Sequence, residues 1–294
     1  MFTGCGTALV TPFRQDLSLD ESTLRALVRR QIEAGINFLV PCGTTGESPT
    51  LTRAEHLRVV EITLEEAKGK VPVLAGAGGY NTHEVIELAG EIEALGADGI
   101  LSVTPYYNKP TQEGLYQHYR AISSAVRLPI VVYSVQGRTG VNVEPGTLAR
   151  LAKIENIVAV KEASGNIGQM ATILNEVPLD FIVLSGDDAV TIPLAALGGS
   201  GIISVASNEI PAEMTAIAQA CLRNDFVTAR AIQAKFLPLM NINFVESNPI
   251  PVKAAMALMG LLEPVWRLPM VPPSQANLAK IESVLQSVGL LVHQ

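Results

Sequence analysis

Eight short apolar runs rich in β-branched residues recur along the chain, and their spacing limits the fold more than any other feature. They lie at 7–12, 37–41, 71–75, 99–104, 130–135, 157–161, 181–185 and 201–205, with starts about 20 to 34 residues apart. That interval is the length of one βα unit. Near-continuous hydrophobic runs suit strands buried on both faces, as in a parallel sheet. The segments between them carry helix signals: Ser18-Leu-Asp-Glu21 and Thr52-Arg-Ala-Glu55 read as capping boxes, each ahead of apolar residues at three- and four-residue spacing. Strict β-then-α alternation repeated eight times predicts a closed (β/α)8 TIM barrel rather than an open doubly wound sheet.

The barrel should close near residue 222, because the pattern changes there. Segments 226–240, 251–262 and 274–288 are helical in period and none is strand-like. Asn248-Pro249, Leu268-Pro269 and Pro272-Pro273 interrupt them, since proline removes an amide donor and restricts the residue before it. The expected organisation is a barrel domain over 1–222 followed by a C-terminal helical domain over 223–294.

Composition narrows the function. With 48% hydrophobic and 17% charged residues, the 294-residue chain is able to bury a large core. A net charge of -7 argues against nucleic acid or an anionic membrane as a partner. The first residues lack the basic and long apolar regions of a signal peptide, and no apolar run reaches the roughly 20 residues of a membrane span, so a cytoplasmic location is expected. Cys5, Cys42 and Cys221 form no CxxC, and His56, His83, His118 and His293 form no HxxxH. Packed thiols and no metal are the expectation.

In such a barrel the chemistry belongs at the C-terminal ends of the strands. Lys161 follows Ile157-Val-Ala-Val160 directly, where burial would penalise the ammonium form and favour the neutral amine that attacks a ketone. Strand alternation puts it on one face with Ile157 and Ala159, and turns Glu162 away as a packing or surface ion-pair residue. Tyr133 shares a face with Val131 and Val135 on the preceding strand, which places it beside Lys161. Thr44 and Thr45, bracketed by Gly43 and Gly46, either offer amides and hydroxyls to a carboxylate or cap the next helix. Glu47 reads as fixing this loop, and Arg138 offers a fork for a second carboxylate. Gly76-Ala-Gly78-Gly79 has Asn81 where a dinucleotide fingerprint needs glycine, and Gly198, Gly199 and Gly201 precede a strand instead of following one. Both runs read as turns.

Several motifs occur together and in order: Leu9-Val-Thr-Pro-Phe13, Gly43-Thr-Thr-Gly-Glu47, Val103-Thr-Pro-Tyr-Tyr-Asn108, Lys161-Glu-Ala-Ser-Gly-Asn166, Leu184-Ser-Gly-Asp-Asp188 and Asn248-Pro-Ile-Pro-Val-Lys253. Through them the chain resembles the dihydrodipicolinate synthase branch of the pyruvate-dependent lyases, the family that includes N-acetylneuraminate lyase, from Gly4 to Leu291. The resemblance implies Lys161 as the lysine that forms a Schiff base with pyruvate, and Tyr133 as proton donor and acceptor through Thr44 and Tyr107. It implies that Thr45 and the backbone near Gly186 and Ile203 hold pyruvate, and that Arg138 receives the carboxylate of aspartate semialdehyde. Tyr107 would cross a subunit interface, which implies a homo-oligomer, usually a tetramer. No external cofactor is implied, because the imine is itself the electron sink. Two alternatives are a related aldolase acting on a sugar acid and, of a different class, a non-catalytic barrel that binds keto acids.

The chain departs from the family in two places. Strand five reads Tyr133-Ser-Val-Gln-Gly-Arg138, where the family has Tyr-Asn-Val-Pro-Ser-Arg. Losing a proline and gaining a glycine loosens such a loop by roughly 1 kcal/mol of entropy. The family's lysine effector pocket is matched at Ser48, His56, Glu84 and Tyr106, while Pro49, Arg53 and Tyr80 are replacements. Weak or absent inhibition by lysine is the expectation.

Overall fold

The computed structural model describes residues 2–291; Met1 and residues 292–294, His293 among them, lie outside the described residues. Eight parallel strands form the centre: β1 (Gly4–Ala8), β2 (Phe38–Val40), β3 (Leu74–Gly76), β4 (Gly99–Val103), β5 (Ile130–Ser134), β6 (Ile157–Glu162), β7 (Ile182–Ser185) and β8 (Gly201–Ser204). Each pairs with its neighbours in chain order, β1 pairs with β8, and a parallel bridge from Leu39 to Val73 closes the ring between β2 and β3. The alternating helices are α1 (Glu21–Glu33), α2 (Arg53–Ala67), α3 (Thr82–Leu95), α4 (Gln112–Ala125), a short α5 (Gln136–Thr139), α6 (Pro145–Leu151), α7 (Ile167–Glu176), α8 (Thr191–Ala196) and α9 (Pro211–Leu222). The TIM barrel read from the spacing is the fold.

Three helices follow the last barrel unit: α10 (Phe226–Ile242), α11 (Ile250–Leu258) and α12 (Gln275–Ser287). Helix α11 stops short of residue 262 because Gly260 turns the chain through a left-handed φ of 73°. None of the described helices is long and apolar enough to cross a membrane.

Three local expectations need correction. The first strand is Gly4–Ala8, not 7–12. Glycines at its start mask the strand pattern, yet Gly6 is needed there, because a Cβ at that position would lie 2.1 Å from the Phe38 ring. Beyond Ala8 the chain leaves the ladder, as the Val10 amide is taken by the Asn208 side chain at 3.2 Å. The Thr52–Glu55 capping box opens α2, whereas Ser18 does not cap α1. Ser18 bonds back to Asp16 instead, and Asp20 takes the cap position by accepting from the Thr23 amide at 3.1 Å.

The third correction concerns the face of β6. Ala159 packs inside the barrel with Val131, Leu184 and Ile203, but Ile157 lies in the outer layer between strands and helices. A register shift is the cause: Ile130 pairs with Ile157 and the next residue, Val131, with Ala159, so one extra residue on β6 reverses the alternation before it reaches Lys161.

Candidate active site

Strand register builds the centre of the site. Past the shift, Val132 pairs with Val160 and Tyr133 with Lys161, so two inward positions sit side by side at the C-terminal end of the barrel. Lys161 is 5% exposed and its Nζ lies 4.2 Å from the centroid of the Tyr133 ring. At that distance the amine lies in contact with the aromatic face. Gly186, at the end of β7, keeps the neighbouring space open, since a Cβ there would lie 3.2 Å from the Lys161 Cε and 2.6 Å from Ala163. Ile203 on β8 is buried in the same inner cluster as Tyr133.

Glu162 turns away as alternation requires and is fully buried rather than ion-paired. Its carboxylate accepts from the Gln169 side chain at 2.8 Å and from the Ser164 amide at 3.2 Å. Burial pushes its carboxyl above the usual range against these bonds. Asn142 joins Gln169 at 2.7 Å and accepts from the Ser134 hydroxyl at 3.4 Å. A polar chain thus links the outer faces of β5 and β6 directly behind the Tyr133–Lys161 pair, and it begins at Ser134, one of the residues that departs from the family pattern.

A cavity of about 340 Å³ opens at this end, with Thr44, Tyr133 and Arg138 in its wall. Thr45 is buried beside it and caps no helix: its hydroxyl accepts from the Asn248 side chain at 2.9 Å. The loop's left-handed residues are Cys42 and Glu47, with φ of 55° and 51°, and not the bracketing glycines. Glu47 holds that conformation through a buried ion pair with Lys253 on α11 and a contact from the Arg267 amide at 3.4 Å. Burial pulls the Lys253 ammonium down while Glu47 supports it. The Phe13 ring lies against both cations, 4.5 Å from Lys253 and 4.2 Å from Arg267. Arg267 in turn holds the Glu55 carboxyl down to about 2.

The altered strand-five segment folds as the single turn α5, closed by a bond from the Gly140 amide to the Gln136 carbonyl at 2.9 Å. Within it Arg138 donates to the Asn248 carbonyl at 3.0 Å. Tyr107 is not in the cavity wall; it stands 90% exposed on a left-handed φ of 67°. Of the four effector-pocket residues, Ser48, His56 and Tyr106 line the same cavity as Thr44, whereas Glu84 is absent from the wall and accepts from Asn81 at 2.9 Å. Tyr80 packs edge-on against Tyr106 at 5.2 Å, and Arg53 is paired with Glu91 at 2.7 Å. Asn248 and Lys253 were visible in the sequence as a proline-spaced motif, but nothing in their local pattern reveals partners some 200 residues away.

Among the described residues no group of three or more His, Cys, Asp or Glu side chains is arranged to hold a metal ion. A buried lysine against a tyrosine, at the C-terminal mouth of a parallel β/α barrel, is the arrangement of barrel enzymes that work through an imine. The profile of the Dihydrodipicolinate synthetase family matches residues 1–288. The 4-hydroxy-tetrahydrodipicolinate synthase of Koribacter versatilis is 56% identical over 98% of this chain and 96% of its own length. That of Chloroherpeton thalassium is 51% identical over 98% and 96%. The crystal structure of dihydrodipicolinate synthase from Thermotoga maritima superposes with a TM-score of 0.97 at 48% identity, covering 99% of this chain and all of that one. This chain belongs to the dihydrodipicolinate synthetase family.

Proposed function

We propose that this protein condenses pyruvate with L-aspartate 4-semialdehyde through an imine on Lys161, giving 4-hydroxy-tetrahydrodipicolinate, the first committed step of lysine and diaminopimelate biosynthesis. The observation that carries this reading is the buried Lys161 amine lying 4.2 Å from the Tyr133 ring in the inner face of the barrel. Family membership supplies the substrates.

In this reading the neutral Lys161 amine attacks the ketone carbon of pyruvate and water leaves, forming the imine. The imine draws electrons from the adjacent methyl group, which loses a proton to become an enamine. Tyr133 carries the protons, with Thr44 in the cavity wall beside it and Tyr107 arriving from a second subunit. The enamine carbon attacks the aldehyde of the second substrate, and that substrate's amine then displaces Lys161, closing the six-membered ring and freeing the enzyme. Thr45, Gly186 and Ile203 shape the pyruvate end, and Arg138 takes the second carboxylate. No external cofactor is called for, because the imine accepts the electrons that a cofactor would otherwise hold.

The exposure of Tyr107 supports a homo-oligomer, a tetramer in this reading, in which a partner subunit covers it, and a cytoplasmic location belongs to the same reading. Residues 1–222 then form the catalytic barrel and residues 223–294 a helical unit that supports it. The test is a coupled assay with pyruvate, aspartate semialdehyde and a dihydrodipicolinate reductase, beside borohydride trapping with pyruvate alone. Turnover with trapping at Lys161 is the expected result. Trapping without turnover assigns the chain another substrate, a sugar acid or other aldehyde, and neither result would leave only a keto-acid-binding barrel.

A further inference from the structure

Three long-range contacts converge on one short segment. The Asn248 side-chain amide donates to the Thr45 hydroxyl at 2.9 Å, and the Asn248 backbone carbonyl accepts from the Arg138 guanidinium at 3.0 Å. Asn248 is 4% exposed, so both bonds are shielded from competing water. Five residues further on, Lys253 is locked to Glu47 in a pair with almost no exposure on either side chain. Pro249 and Pro251 flank the start of α11 and restrict its first turn, and the Lys253 amide bonds to the Pro249 carbonyl at 3.1 Å. The segment therefore has a fixed register against the β2 loop before it meets Arg138.

The consequence lies in what each contact holds. Thr45 belongs to the loop after β2 at the pyruvate end of the site, and Arg138 sits on α5 after β5 at the same mouth of the barrel, 93 residues further along the chain. Among the described residues the Asn248 carbonyl is the sole hydrogen-bond acceptor for the Arg138 side chain, and Asn248 is the sole side chain bonded to the Thr45 hydroxyl. One residue outside the barrel strands thus spans both subsites. Lys253 and Glu47 hold it in place, and Asn248 itself does not belong to the cavity wall.

We propose that Asn248 is a positioning residue that couples the two substrate subsites, aligning the Thr45 hydroxyl through its side-chain amide and the Arg138 guanidinium through its backbone carbonyl. The assignment rests on the reading of Thr45 as a pyruvate-side residue and Arg138 as the second-substrate arginine. A guanidinium tethered by one carbonyl keeps its remaining N–H groups free for a carboxylate and loses less freedom on binding it. Removing the side chain frees Thr45 and loosens the carbonyl that holds Arg138. Replacing it by aspartate removes the donor to Thr45, so the bond survives only if the Thr45 hydroxyl turns to donate, and it places a carboxylate close to Arg138, which then competes with substrate.

The experiment compares wild type, Asn248→Ala and Asn248→Asp by steady-state kinetics in both substrates, by the rate of borohydride trapping with pyruvate alone, and by thermal melting. In Asn248→Ala the KM for aspartate semialdehyde is expected to rise about tenfold or more and the KM for pyruvate several-fold, as expected for losing a charge-linked hydrogen-bonded anchor. In Asn248→Asp the second-substrate KM should rise at least as far, with a smaller rise for pyruvate than in the alanine variant. A fall in kcat with both KM values unchanged, or both KM values within about twofold of wild type in Asn248→Asp, overturns the proposal. If Asn248→Ala does not fold, the near-isosteric aspartate variant decides alone. An inactive wild type that still traps pyruvate rejects the second-substrate reading itself, which separates that failure from a failure of the coupling.

Discussion

The site is held from two sides by different means. Tyr133 and Lys161 are 28 residues apart in the chain and meet because adjacent strands share a register, so backbone pairing alone puts them together. Thr45 and Asn248, or Glu47 and Lys253, are more than 200 residues apart and meet only when the C-terminal helices dock on the loops of the barrel. The first arrangement is repetitive and tolerant, since every strand of a barrel offers an inward position near its end. The second depends on single side chains with single partners. The proposed reactive groups lie on the strands, and the docked segment fixes the loops around them.

The largest effect should follow from breaking the strand-borne half. Lys161→Ala removes the proposed nucleophile, so turnover is expected to fall by about a thousandfold or more, a barrier increase above about 4 kcal/mol. Borohydride trapping with pyruvate should vanish in the same variant. Melting temperature should change little, because the methyl group of alanine fits where a lysine stem lay among apolar neighbours and no buried counter-charge is abandoned. A variant that lost stability and kept its activity would reverse the comparison.

Breaking the docked half should do the opposite. Lys253→Met leaves the Glu47 carboxylate buried without its partner, a loss of about 3 to 5 kcal/mol in systems where one member of a buried pair is removed. Urea unfolding at neutral pH measures it. The double variant Glu47→Gln with Lys253→Met should recover most of that loss, since no buried charge then remains unpaired. If the double variant is no better than the single, the lysine acts through packing on Phe13 and not through its charge.

These contrasts explain what was legible in the sequence. Repeated apolar runs with capped helices between them specify the barrel, because eight local signals agree and each tolerates an error of a few residues. The β1 boundary moved because Gly4 and Gly6 look like turn residues while packing demands them in a strand. The face of Ile157 was misjudged because a single extra residue in β6 is invisible to a period-two pattern. Lys161 and Tyr133 were legible as neighbouring inward positions, since polar groups ending apolar runs on adjacent strands stand out. Asn248 and Lys253 were not, because their partners are set by docking, and a proline-spaced turn looks the same wherever it lands.

Acid should act through the barrel's shell and leave the docked segment for later. His118 on α4 is buried, its Nδ1 bonded to Thr82 at 2.9 Å and its Nε2 without a partner among the described residues. Burial holds it down to about 4, and burial also lowers His56. An unfolded imidazole takes up its proton near 6.5, so between about 6.5 and 4 this histidine binds more proton in the unfolded chain than in the folded one. The contribution of His118 to stability is therefore fully present above that window and is lost as pH drops through it, by about 3 kcal/mol. Urea midpoints measured from pH 7 to pH 4 should follow this slope, and His118→Phe should flatten it. An unchanged slope would move the acid-sensitive groups elsewhere.

The smallest expected effect concerns free lysine. An effector with two amines and a carboxylate needs acceptors for its cations, and the cavity wall offers few. His56 already spends its Nε2 on the Gly76 carbonyl at 2.8 Å, and Tyr80 rests edge-on against Tyr106. Glu84, the carboxylate of the set, is bonded to Asn81 and is not itself in the wall, while Arg138 brings a positive charge into it. Inhibition should thus be weaker than a dissociation constant of about 1 mM, equivalent to less than about 4 kcal/mol of binding. Initial rates titrated with lysine at saturating pyruvate provide the check. Sub-millimolar inhibition would mean that a second subunit completes the pocket with acceptors that one chain lacks, and it would place part of the site's specificity in the oligomer, alongside the two supports described for the single chain.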